Sequence, residues 1–413
     1  MSGRTIAEQI IGRHADHDVR ADDVVIVRVD AAMATDTTAP FAIETFKEMG
    51  GRRVWNPERM VFVIDHAAPA PTEAIANLHV LMRTFARETG SVLHEIGRGI
   101  GHQVMVENAH VRPGELVLGA DSHTVIYGAL NAFASGVGST DLAAVMLTGR
   151  TWMRVPRTIR VELVGDAPTG ISPKDLTLAI VGRLGIDGAT GRAIEYTGAA
   201  VRALSLDGRL TMASMAVETG AVAGLVDADG LTLPYAFTAT HAEAGAEYEQ
   251  VITIDVRELT PQIALPHSPD SVVSITHAIG TRIDMAFIGT CTNGRLEDLR
   301  AAADVLRGKH IASHVRLIIA PASREVFAAG LRDGTIATLT DAGASFITPG
   351  CGPCVGTHLG VPGNDEVVIS AANRNFQGRM GNPRANVYLA SPATVAASAL
   401  HGVITAANTG AHA

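Results

Sequence analysis

The sequence predicts an α/β protein of layered, largely parallel sheets, and three observations carry that prediction. Short β-branched runs alternate with amphipathic helical stretches along the chain, as they do where helices cover both faces of parallel sheets. The 413 residues exceed what one hydrophobic core organises, so two or three domains are expected. The polar clusters able to do chemistry each come just after an expected strand, where open α/β sheets bind ligands.

In chain order, residues 1–14 read as an amphipathic helix interrupted by charges, without the apolar core of a signal peptide. A cytoplasmic protein with reduced thiols is the expectation that follows. Strands are expected over 23–29, 60–65, 115–118, 158–164, 283–288, 315–320, 344–348 and 366–370, each a short apolar run bounded by turn residues. A helix is expected over 295–308, with Leu296, Leu299, Ala303 and Leu306 on one face and Gly308 closing it. The Val155-Pro156 break places one boundary near Arg157, and the Leu-Pro-His-Ser-Pro-Asp run over 265–270 reads as a second linker. The expected domains are therefore 1–156, 157–270 and 271–413. No internal repeat or low-complexity segment stands out.

Composition excludes two partner classes. The chain is 47% hydrophobic, but its longest apolar runs fall far short of a membrane-spanning helix. A net charge of −9 with five Tyr, ten Phe and two Trp supplies no basic stripe with stacking aromatics, so nucleic acid is not expected as a partner. Small anions can still be met by local arginines.

Three cysteines occur in the chain: Cys291 in Gly-Thr-Cys-Thr-Asn-Gly, and Cys351 and Cys354 in Pro-Gly-Cys-Gly-Pro-Cys-Val-Gly. Thiols in Gly/Pro-rich turns have little apolar surface to pack against, which points to presentation to a ligand. Three unremarkable free thiols are common in a large chain. A Cys-x-x-Cys redox pair leaves Cys291 unexplained. A structural zinc site normally wants a fourth protein ligand. An iron–sulfur cluster with three thiolates and one iron lacking a protein ligand fits the set better.

The remaining polar clusters share that placement. Asp65-His66 ends one expected strand, Asp121-Ser122-His123 follows another, and Asn373-Arg374 with Arg379 follows the strand at 366–370. Carboxylate–imidazole pairs, with His102 nearby in sequence, move protons near neutral pH. Lone histidines are more often structural, but several at strand ends favour function. Arg374 and Arg379, five apart, offer planar forks for substrate carboxylates; alone they would read equally well as surface salt-bridging residues. An open iron beside such groups suggests Lewis-acid removal of a hydroxyl coupled to proton abstraction next to a carboxylate, which is hydro-lyase chemistry.

The chain resembles the aconitase superfamily, specifically the large subunit of the two-subunit 3-isopropylmalate dehydratase and homoaconitase group. The resemblance runs from Thr5 to the end. It is carried by Gly119-Ala-Asp-Ser-His-Thr124, Gly136-Val-Gly-Ser-Thr-Asp141, Phe287-Ile-Gly-Thr-Cys-Thr-Asn-Gly294, Cys351-Gly-Pro-Cys-Val-Gly356 and Asn373-Arg-Asn-Phe-Gln-Gly-Arg379. It implies three α/β subdomains around a shared cleft, without the swivelling domain of single-chain aconitases. It also implies one 4Fe-4S cluster per subunit held by Cys291, Cys351 and Cys354, with one iron left for substrate. Asp65, His66, His102, Asp121, Ser122 and His123 would be the acid/base and hydrogen-bonding groups, and Glu218 would stand near the labile iron's water. Arg374, Arg379, Ser122 and, more weakly, Asp36 would bind substrate.

A separate small swivel-domain subunit would complete the site of a hetero-oligomer, acting on a small hydroxy di- or tricarboxylate. Interconversion of 2- and 3-isopropylmalate in leucine biosynthesis is the expected reaction. Homoaconitate, maleate, citraconate and dimethylmalate hydratases share the motifs, and a non-enzymatic metal-binding scaffold or sensor is the remote alternative. Ser214 departs from the family's usual Asn four residues before the glutamate. Ser323-Arg324-Glu325 imitates the swivel domain's serine–arginine motif, but reads as the start of a helix.

Overall fold

Two parallel sheets, one mixed sheet and one antiparallel ribbon make up the computed structural model, which describes residues 2–407. Met1, which opens the expected N-terminal helix, and residues 408–413, which close the third expected domain, lie outside the described residues. The helix near the start is Ile6–Ala15, begun by a capping box in which Thr5 and Glu8 satisfy each other's backbone N–H groups.

The first sheet orders its strands Val92–His94, Met60–Val63, Ala31–Thr35, Leu116–Gly119 and Phe133–Gly136, all parallel. Ala31–Thr35 lies at its centre and is buried throughout, yet its Ala-Ala-Met-Ala-Thr sequence carries little β-branched signal and was not among the expected strands. Phe46, Phe62 and Phe85 meet edge to face, at 5.6 and 5.7 Å, where the helices Ala39–Glu48 and Glu73–Thr89 cover one side. The chain winds outward from the centre first one way and then the other, so a crevice opens beyond the ends of Ala31–Thr35 and Leu116–Gly119.

The second sheet runs Ala223–Val226, Ala193–Thr197, Thr158–Val164 and Gln250–Asp255, again parallel. The third has seven strands: Val272–Ser274, Gln262–Ala264, Asn386–Leu389, Val367–Ser370, Met285–Ile288, Arg316–Ile319 and Ser345–Phe346. Its parallel part also starts at the centre, with Met285–Ile288, and winds both ways. A second crevice therefore opens between the ends of Met285–Ile288 and Val367–Ser370.

Two expectations change. The run at 23–29 forms Val24–Arg28, but pairs antiparallel with Arg150–Arg154 in a separate two-stranded ribbon rather than joining a parallel sheet. Residues 265–270, expected as a linker, turn the chain between Gln262–Ala264 and Val272–Ser274, antiparallel neighbours in one sheet. The helix expected at 295–308 is Leu296–Leu306, buried at Leu299, Ala303 and Leu306.

The first two sheets approach through glycine. Within the 3-10 stretch Ser122–Leu130, buried from His123 onward, a Cβ on Gly128 would stand 1.9 Å from the Gly224 carbonyl oxygen, on the strand Ala223–Val226. No helix among the described residues is long and apolar enough to cross a membrane.

Candidate active site

The turn that follows Met60–Val63 carries Asp65 and His66, and it is held from beneath by Asp36. One Asp36 oxygen accepts the backbone N–H groups of Asp65 (3.0 Å) and His66 (2.8 Å). The other accepts that of Ala67 (2.8 Å) and faces His79 Nε2 at 3.2 Å. Asp36 was expected to bind substrate; instead its side chain is 1% exposed and both oxygens are spent on the turn, while Thr37 lines the cleft. Although burial opposes ionisation, His79, His66 and these N–H groups hold the Asp36 carboxyl well below the usual range.

From that turn a chain of carboxylates and imidazoles crosses the first crevice. Asp65 Oδ1 lies 2.8 Å from His66 Nδ1, and His66 Nε2 lies 3.4 Å from Asp121 Oδ2. Asp121 Oδ1 in turn meets His102 Nε2 at 2.9 Å, and His102 Nδ1 meets the Tyr127 hydroxyl at 3.1 Å. Burial alone would pull His66 down, but Cys351, Asp65 and Asp121 raise it well above its ordinary value. Burial likewise opposes ionisation of Asp121, yet His102, His123 and His66 keep it well below the carboxylate range. Buried Asp65 is pushed up, against the pull of His66. A proton can be held or passed at either end of this chain, as general acid/base chemistry requires.

A second cluster stands opposite. Glu218, in the short turn Ala216–Thr219, accepts from Arg374 Nε at 2.9 Å on each oxygen and lies 2.9 Å from His123 Nε2. Its carboxylate is 1% exposed and stays ionised despite burial, through His123 and Arg374. Asp65 and Glu218 thus stand behind the groups that line the cleft. His66, His102, Asp121, Ser122, His123, Arg374, Arg379 and the three cysteines line it directly, around a volume of about 320 Å³.

Cys291 leaves the end of Met285–Ile288, and Asn373 the end of Val367–Ser370, so the second crevice brings them together: the Asn373 amide nitrogen lies 3.7 Å from Cys291 Sγ. The Asn373 amide oxygen lies 3.7 Å from Cys354 Sγ, and Arg379 reaches the same sulfur at 3.7 Å. Cys351 Sγ is 3.8 Å from His66 Nδ1 and 3.9 Å from Asp65 Oδ2, which joins the cysteine pocket to the proton chain. All three thiols are free and buried, and burial raises Cys291 to about 12 and Cys351 further still.

Buried thiols that costly to ionise suit a bound metal, which supplies the compensating charge. The three cysteines line one cleft together, with Cys351 also grouped with Asp65 and His66. Three thiols converging on one cleft form the kind of donor set that holds a multi-iron group.

Two serines singled out in the sequence are engaged locally, and three further residues escaped it. Ser214 bonds the Thr211 carbonyl (2.9 Å) and Thr292 Oγ1 (3.3 Å), which satisfies the shorter side chain locally. Ser323 caps the helix Arg324–Arg332 and donates to Glu107 at 2.7 Å, as helix-start chemistry requires. Tyr127, His79 and Lys174 carried weaker signals. His79 falls on the buried stripe with Met82 and Ala86 and could have been found by spacing. Lys174 stands in the first turn of the helix Pro173–Leu184, a position at which sequence gives no sign of burial.

The model of the aconitase family (aconitate hydratase) matches residues 8–402. The chain is 47% identical over 411 residues to the 3-isopropylmalate dehydratase large subunit 1 of Methanopyrus kandleri, covering 98% of each chain. It is 46% identical to the 3-isopropylmalate dehydratase large subunit of Elusimicrobium minutum, covering 97% of this chain and 98% of that one. It is 44% identical to a protein named as a probable methanogen homoaconitase large subunit in Methanothermobacter thermautotrophicus, covering 97% of each.

Proposed function

This chain belongs to the aconitase family, and we propose that it is the large subunit of a 3-isopropylmalate dehydratase, a hydro-lyase that interconverts 2- and 3-isopropylmalate. The observation that carries this reading is the meeting of three strand-end thiols with carboxylate–imidazole pairs and two arginines in one cleft. Supporting it, most of the relatives above carry that name over nearly their whole length. The large-subunit names also support a small-subunit partner, which would close the cleft.

In this reading Cys291, Cys351 and Cys354 hold a 4Fe-4S cluster, which when bound supplies a Lewis acid for the substrate hydroxyl. The chain's own residues do the rest. Arg374 gives only its Nε to Glu218, leaving both terminal nitrogens for a carboxylate. Arg379 lines the cleft with its buried Nε unpartnered among the described residues, a second donor for an anionic substrate. Among the described residues Ser122 Oγ is engaged only with His123 Nδ1, at 3.4 Å, and is free to turn to substrate. His66 and His102 share Asp121, so the chain between Asp65 and Tyr127 can supply the proton that a departing hydroxyl takes up to leave as water, and keep the one that an added water gives up in the reverse direction. Glu218 positions His123 and Arg374 rather than meeting substrate itself.

Homoaconitate hydration is the second reading, because the relative named for it differs in identity by only two points from one named for isopropylmalate. Anaerobic co-purification with a small subunit, followed by hydration assays on isopropylmaleate, homoaconitate, citraconate and maleate, tests both. Turnover confined to isopropylmaleate is expected. Zinc instead of iron and sulfide in the purified protein, or turnover confined to another substrate, overturns the first reading.

A further inference from the structure

Lys174 has no solvent exposure, and its ammonium donates to the carbonyls of Ala371 (3.1 Å) and Ala372 (2.5 Å). Burying an ammonium is costly unless it meets compensating charge. The local helix gives no reason for it. Pro173–Leu184 is already begun by a capping box between Ser172 and Asp175, and a cation in its first turn opposes the helix dipole. The reason lies in what the lysine holds. Ala371 and Ala372 lead straight into Asn373, which touches Cys291 and Cys354, and Arg374, which holds Glu218. Burial lowers Lys174 to about 7, and the anions that favour its charged form against that pull are Asp298, Glu218 and the thiolates of Cys291 and Cys354.

We propose that Lys174 is a positioning residue of the cysteine pocket, which pins the loop ahead of Asn373 and Arg374 and brings its ammonium to the back of that pocket. This rests on the reading that those thiolates hold an iron–sulfur cluster. Because reducing such a cluster adds negative charge, a nearby cation raises its midpoint potential, whereas an anchor of purely mechanical value leaves the potential alone.

The test is spectroelectrochemical titration of the anaerobically reconstituted chain, with melting temperature and iron and sulfide content measured alongside. Lys174→Met is expected to shift the midpoint to more negative potential, and Lys174→Arg, which keeps the charge, to stay close to the unaltered protein. A Lys174→Met protein that melts normally but takes up no cluster supports the same role. A wild-type midpoint in Lys174→Met, with only the melting temperature lowered, overturns it. If Lys174→Met does not fold, Lys174→Gln keeps a donor for the carbonyls without the charge, and a wild-type midpoint there is equally decisive. Failure of the unaltered chain to take up iron and sulfide would instead remove the cluster reading itself.

Discussion

Replacing Asp36 with Asn separates support of the active-site turn from contact with substrate. The carboxylate accepts three backbone N–H groups at 2.8 to 3.0 Å and faces His79 at 3.2 Å, in a site 1% exposed. An amide keeps only one accepting oxygen, so one pair of these contacts is lost and a new N–H is pressed against buried donors. Hydrogen bonds to a charged acceptor contribute about 1.5–3 kcal/mol each, and stranded buried donors cost about as much. A loss of roughly 3 kcal/mol follows, or on the order of 5 °C in melting temperature. The turn carries His66, and a misplacement of about 1 Å costs on the order of 100-fold in turnover. Thermal unfolding and steady-state kinetics of the assembled enzyme should therefore show a lower melting temperature and a much lower kcat, with KM within about twofold. An unchanged melting temperature with KM raised tenfold or more would refute this and return Asp36 to the substrate.

Cys354→Ser should abolish the broad visible absorption of the anaerobically reconstituted protein; a variant with normal absorption and activity contradicts the ligand assignment. Glu195 is fully buried against the N–H groups of Ile6 and Ala7 and the Tyr248 hydroxyl, and burial lifts its carboxyl from 4.5 to about 7. The native state then holds a proton that the unfolded chain has released, so stability falls as pH rises from about 4.5 to 7, by roughly 3 kcal/mol. Glu195→Gln should flatten that part of the denaturant-measured pH profile, and parallel profiles for the two proteins would sink the idea. Gly128→Ala places its Cβ 1.9 Å from the Gly224 oxygen and 2.6 Å from its carbonyl carbon, backbone atoms that cannot turn aside. A loss of at least about 1–3 kcal/mol is expected, and an unchanged melting temperature would show that the two sheets can part there.

Much of the site could be read in the sequence because open parallel sheets put function at strand ends. The strands Met60–Val63, Leu116–Gly119, Met285–Ile288 and Val367–Ser370 fall within about two residues of the expected ones. Asp65-His66, Asp121-Ser122-His123, Cys291 and Asn373-Arg374 follow them immediately. Harder to read were strands built of small residues, such as Ala31–Thr35, and the fate of the run at 23–29, whose β-branched residues suit a ribbon as well as a sheet.

By itself the sequence determined the α/β class, the strand ends that carry the polar clusters, and the three thiols, because strand periodicity and turn chemistry are local. Only the tertiary structure decided which side chains face the cleft and which stand behind it. Asp36, Asp65 and Glu218 are carboxylates as able as Asp121 to touch a ligand. Their hydrogen bonds to the turn at 65–67, His66, His123 and Arg374 make them supports, and apart from the Asp65–His66 neighbours those partners come from distant segments. Lys174 is the extreme case, an apparently ordinary helix-start lysine whose acceptors lie 197 and 198 residues away in sequence. Its surroundings exist only once the second and third sheets have packed.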